Sequence, residues 1–131
     1  ARGLFDEADY RALTAHLLAE LAGAGVAVGG VYHCPHHPEG SVAAYRRACD
    51  CRKPAPGLLH RAIAELGIDP AASILVGDKA SDIAAGRAAG VGRCYLVGAG
   101  QGEDCDADGR FADLAACVAA LPGIVSAAPA A

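Results

Sequence analysis

Apolar residues in this chain fall alternately at helical spacing and in short continuous runs. Between Asp6 and Ala22, the side chains of Tyr10, Leu13, Leu17, Leu18 and Leu21 share one helical face, with Asp6 as N-cap and Gly23 and Gly25 placed to end the helix. Val26 to Tyr32 reads as a short strand entering a loop rich in cysteine and histidine. Pro56 then opens a helix that runs through Leu66 and stops at Gly67. Ser73 to Val76 predicts a strand halting at Gly77-Asp78-Lys79, and Ala80 to Ala89 a helix closed by Gly90. Arg93 to Val97 predicts another strand, Gly98 to Gly109 a glycine-rich loop, and Ala112 to Leu121 a last helix. This alternation implies an α/β fold around a parallel sheet, one domain over residues 1–125, with 126–131 as a disordered tail of small residues and proline.

The 131 residues suffice for one domain with a real core. A net charge of −4 offers no basic stripe, which excludes nucleic acid as the default partner. No run approaches the roughly 18 apolar residues of a membrane span, and nothing at the start resembles a secretory signal, so a reducing cytoplasm is expected.

The cysteines change the picture. Cys34-Pro35-His36, then twelve residues, then Cys49-Asp50-Cys51 supplies three thiolates and an imidazole, a set that closes a tetrahedral shell around Zn²⁺ and leaves no position for water. Such a metal holds structure. Paired CxH and CxC steps are unusual for a disulfide framework, the competing use of these thiols. His33 and His37 flank His36 and compete with it as ligands. Cys94 in an apolar run and Cys117 in a helical pattern read as buried thiols, while Cys105 falls in a polar loop.

Cys51 runs directly into Arg52-Lys53-Pro54, so the metal loop would carry two cations suited to clamping a phosphate or carboxylate. Asp78 lies at the carboxyl end of its strand, where open α/β sheets bind ligands, and Asp82 follows on the first helical turn. Two carboxylates so placed can hold a hard cation. The plainer roles are a helix cap for Asp78 and solvated surface charge for Arg52, Lys53 and Lys79.

The runs YHCPHHPEGSVAAYRRACDCRKPAPGLL and ILVGDKASDIAAGRAAGV resemble the D-glycero-D-manno-heptose 1,7-bisphosphate phosphatases of the haloacid dehalogenase (HAD) superfamily, across essentially the whole chain. The resemblance implies a HAD-like Rossmannoid sheet and hydrolysis of the 7-phosphate in ADP-heptose biosynthesis. It implies Zn²⁺ on Cys34, His36, Cys49 and Cys51, and Mg²⁺ on Asp78. Lys53 would stabilise the phosphoryl charge, Arg52 would recognise substrate, and Lys79 would contact it. The implied partner is a small phosphorylated sugar, with the full-length protein a cytoplasmic monomer.

Related histidinol phosphatases carry a shorter stretch between the two cysteine steps, so twelve residues favour the heptose enzyme. In this family an aspartate on the first strand attacks phosphorus and a second, two residues later, serves as acid and base. No DxDGT or DxDGV segment occurs here, and Asp104, Asp106 and Asp108 sit in a polar loop. Ala1-Arg2-Gly3-Leu4-Phe5 resembles the stretch just after the family's TNQSG-like turn. The expectation is therefore an N-terminally truncated chain without its first two strands, inactive as given and with open sheet edges. A histidinol-phosphate or other sugar phosphatase, or a non-catalytic zinc-binding module, are the alternatives.

Overall fold

The computed structural model describes residues 1–98 and 104–126. Its first helix, α1, spans Glu7–Gly23 and starts as expected: the Asp6 carboxylate accepts the N–H groups of Ala8 and Asp9, and Asp9 accepts the N–H of Asp6. The inward face differs from the expected one. Tyr10, Thr14, Leu18 and Leu21 are half-buried, while Leu13 and Leu17 are 66% and 52% exposed.

The expected strand from Val26 to Tyr32 does not form. A strand exists through its ladder, and among the described residues no neighbouring strand pairs with this segment. Side chains hold it instead. Tyr32 donates from its hydroxyl to Glu65 at 2.9 Å, and the Arg61 guanidinium lies 5.8 Å from the Tyr32 ring centroid. Val26, Val28 and Val31 remain exposed.

Helix α2 spans Gly57–Leu66, with Pro56 at its N-cap. Its C-cap, Gly67, has φ +64, a left-handed conformation that glycine adopts without a Cβ penalty. Strand β1 (Ile74–Gly77) leads into α3 (Ala80–Ala88), then β2 (Arg93–Val97), β3 (Gly109–Phe111) and α4 (Leu114–Ser126). The strands are parallel in the order β1-β2-β3, with Ile74 opposite Arg93 and Tyr95 opposite Gly109. β3 was not expected: it starts at the last residue of the expected glycine-rich loop, whose residues 99–103 lie outside the described residues. α4 starts at Leu114 rather than Ala112 because the Asp113 side chain accepts the Ala116 N–H. It ends at Ser126, one residue inside the expected tail; the rest of that tail lies outside the described residues.

α3 packs on β1 and β2, and α4 on β2 and β3. Between them Ile83, Cys94, Leu96 and Cys117 are fully buried. Burial raises the pKa of both the Cys94 and Cys117 thiols, as inert core cysteines require. The central strand is covered on both faces, and each large apolar side chain buried this way contributes about 1.5–3 kcal/mol. The carboxyl ends of β1 and β2 are thereby fixed beneath the metal loop.

Candidate active site and metal loop

The ligand atoms of Cys34, His36, Cys49 and Cys51 lie within 4.8 Å of one another, so the two cysteine steps separated in sequence converge. Cys34 and Cys51 bring their sulfurs to 2.9 Å, and His36 turns Nδ1 toward both at 3.9 Å. The Cys49 and Cys51 sulfurs also meet at the same point. Three sulfurs and one imidazole nitrogen fit a structural zinc and leave no open position. Neither His33 nor His37 joins the cluster: His33 stacks on Tyr10 with ring centroids 3.8 Å apart, and His37 accepts the Glu39 N–H.

The chain leaves this cluster through Arg52 and Lys53. Arg52 donates from Nη1 to the His36 carbonyl at 3.1 Å, which ties its guanidinium to the ligand loop. The Gly57 N–H reaches back to the Asp50 carbonyl at 2.8 Å and joins the loop's exit to the start of α2.

Lys53 extends across to α3 and places Nζ 2.5 Å from Asp82 Oδ1. The other Asp82 oxygen accepts the N–H groups of Asp78 and Lys79 at 3.0 and 3.1 Å. Asp82 is only 6% exposed. Burial pushes its carboxyl upward, but the hydrogen bond and charge of Lys53, aided by the Lys79 N–H and the Asp78 side chain, outweigh it and hold the group below the usual carboxylate range. Gly77 is required beside it, since a Cβ there would collide with the Asp82 side chain.

The two acids that sequence placed together as a candidate cation site stay neighbours but have different surroundings. Asp82 is occupied as the anchor of Lys53 and of the turn after β1. Asp78 is exposed at the end of β1 and does not cap α3, whose N-cap is Lys79. Arg52, Lys53, Asp78, Lys79 and Asp82 all line one cleft of about 890 Å³, which Tyr32 and His33 line as well. Sequence reasoning placed Asp82 correctly on the first turn but missed its bond to Lys53, because no local pattern connects positions so far apart. A second cleft of about 420 Å³ adjoins the first, and Arg52, His33 and Cys34 line both.

A parallel α/β sheet with cations and an exposed carboxylate gathered at its carboxyl end defines a ligand-binding protein of the Rossmann-like class. Residues 50–120 match the sequence model described as HAD-hydrolase-like, and the chain belongs to that family. It is 50% identical over 101 residues to the D-glycero-beta-D-manno-heptose-1,7-bisphosphate 7-phosphatase of Yersinia pestis, covering 77% of this chain and 54% of that protein. It is 43% identical over 125 residues to the enzyme of the same name from Salmonella typhi, covering 95% and 66%. The chain thus spans about half to two thirds of these relatives. Among solved structures it superposes with a TM-score of 0.76 and 32% identity on a D,D-heptose 1,7-bisphosphate phosphatase from B. bronchiseptica complexed with magnesium and phosphate, covering 94% of this chain and 68% of that one.

Proposed function

We propose that the full-length protein containing this chain hydrolyses the 7-phosphate of D-glycero-D-manno-heptose 1,7-bisphosphate, supplying ADP-heptose biosynthesis. The observation that carries this reading is one junction: Arg52 and Lys53 leave the Cys34, His36, Cys49 and Cys51 cluster and enter the cleft that Asp78 faces. Phosphoryl transfer depends on positioning and on neutralising oxygen charge, for which fixed cations suffice without a base of special pKa. Lys53, aimed by buried Asp82, would hold the transferring phosphoryl group. Arg52 would recognise the rest of the substrate, and Lys79 would contact it.

Asp78 would hold Mg²⁺, which when bound supplies charge neutralisation at the phosphoryl oxygens. The four-ligand cluster would hold Zn²⁺ and fix the loop that carries both cations. Residues 1–125 are read as part of a single HAD-like domain with its zinc loop at 33–53, cytoplasmic and monomeric when full length. Among the described residues, Asp104, Asp106 and Asp108 stand before or at the entry of β3, not at the carboxyl end of a strand, and none is placed to attack phosphorus. Residues 1–131 alone are therefore read as inactive.

The test is phosphate release by the full-length protein from the heptose bisphosphate, from histidinol phosphate and from other sugar phosphates. The bisphosphate should lead in kcat/KM by on the order of 100-fold. Faster turnover of histidinol phosphate would overturn the substrate assignment.

A further inference from the structure

The metal loop is entered through Tyr32 and His33, and each ring is held by a different helix. His33 stacks on Tyr10 of α1, with ring centroids 3.8 Å apart. Tyr32 is clasped from α2. Its hydroxyl donates to one Glu65 oxygen at 2.9 Å, Arg61 Nε donates to the other at 2.8 Å, and the Arg61 guanidinium lies 5.8 Å from the ring centroid. The ring lies close to Gly30, where a Cβ would stand 2.9 Å from it.

The Arg61 and Glu65 side chains are 66% and 49% exposed, and an ion pair of that kind adds little to stability by itself. It does set a direction, because Glu65 gives one oxygen to each partner and cannot turn without losing one. Tyr32 stands two residues before Cys34, and no ladder among the described residues fixes the segment that leads to it. Side-chain anchors therefore decide where Cys34 sits relative to Cys49 and Cys51, which reach the cluster from the other end of the loop. That other end is tied to the same helix, since the Gly57 N–H donates to the Asp50 carbonyl at 2.8 Å. Gly57, Arg61 and Glu65 follow one another at four-residue intervals and lie along one side of α2.

We infer that α2 is a template for the metal site: Arg61 and Glu65 are positioning residues that, through Tyr32, keep Cys34 within reach of Cys49 and Cys51 before the metal arrives. This rests on the proposed zinc site and extends it to residues outside the ligand set. Holding one ligand in place beforehand lowers the entropy lost when the metal closes the loop, so the clasp should show itself in metal affinity rather than in fold stability.

The experiment loads full-length protein with Zn²⁺ and withdraws the metal with a competing chelator. Wild type is compared with Tyr32→Phe, Glu65→Ala, Glu65→Gln and the double variant Tyr32→Phe/Glu65→Ala. A partner bonded directly to a metal ligand is worth roughly 10- to 100-fold in affinity, and Tyr32 acts at one remove, so Tyr32→Phe and Glu65→Ala should each weaken zinc on the order of 3- to 10-fold. The double variant should be no weaker than Glu65→Ala alone, because both changes remove the same bond. Glu65→Gln keeps an acceptor for the hydroxyl and should recover most of the affinity. Zinc held as tightly by Tyr32→Phe and Glu65→Ala as by wild type, or losses that multiply in the double variant, would overturn the inference. A lower urea midpoint of the metal-free variants with unchanged zinc affinity would overturn it as well, leaving the clasp a support of the fold only. Wild-type protein that bound no zinc would instead overturn the zinc site itself, a separate result.

Discussion

Asp82→Asn removes one negative charge at the point where Lys53 meets α3, and the cost follows from what the carboxylate holds. Oδ1 takes the Lys53 ammonium and Oδ2 takes the N–H groups of Asp78 and Lys79. An asparagine has one acceptor oxygen, so it can serve the turn or the ammonium but not both. A charge-assisted hydrogen bond is worth about 1.5–3 kcal/mol, and the lower end applies because the Lys53 side chain is 55% exposed and partly screened. The expected loss in full-length protein is about 1.5–2 kcal/mol at pH 7, read by urea unfolding.

That loss has a defined pH dependence. The folded pKa of Asp82 lies below its unfolded value, so its contribution is fully present above about pH 3.9 and is lost as pH falls through the folded pKa. The gap between wild type and Asp82→Asn should stay level from neutral pH down to about pH 5 and close only under stronger acid. Phosphate release should also fall, because a cation displaced by about 1 Å can cost on the order of 100-fold in rate. Equal unfolding free energies at pH 7 together with an unchanged kcat would refute the view that Asp82 aims Lys53.

Three further outcomes follow from the same geometry. Cys49→Ser should abolish tight stoichiometric zinc binding in metal analysis of the purified protein, since structural zinc is worth about 10–16 kcal/mol to its loop; full retention would remove Cys49 from the ligand set. Lys53→Ala should lower kcat strongly while Arg52→Ala acts more on KM, and a stably folded Cys51→Ser should combine both defects. Residues 1–131 alone should release no phosphate above background with Mg²⁺, and turnover that survives repurification and disappears in Asp78→Asn would reveal a nucleophile in this chain.

Elements governed by neighbouring residues were legible in the sequence, and those governed by distant pairing were not. The Asp6 cap, the Gly67 stop and β2 from Arg93 to Val97 all depend on local chemistry, and each stands where its residues indicated. Val26 to Tyr32 has strand-like composition but finds no ladder among the described residues. The reverse holds for Gly109 to Phe111, a short polar-flanked piece that becomes a strand through its pairing with Tyr95 to Val97. Thr14 rather than Leu13 turns inward on α1 because helix rotation is set by what the helix packs against. At the site, the three clustered cysteines announced themselves by spacing, His36 stood out from His33 and His37 only through the family resemblance, and Arg52 and Lys53 by adjacency to Cys51. The bond from Lys53 to Asp82 arises only when the metal loop folds over α3.

The stretch between His36 and Cys49 carries its own fastenings. His37 donates its N–H to the Tyr45 carbonyl, Gly40 to the His37 carbonyl, and the Arg46 guanidinium to the carbonyls of Gly40 and Ser41. None of these bonds involves Lys53 or Asp82. Lengthening or shortening a loop of this kind adds little closure entropy, and its ligand ends stay gathered by the cluster itself. Residues 37–48 are thereby free to change while the lysine and its buried acid remain untouched. This segment can drift in sequence or length without disturbing the ion pair that fastens the loop's exit to α3.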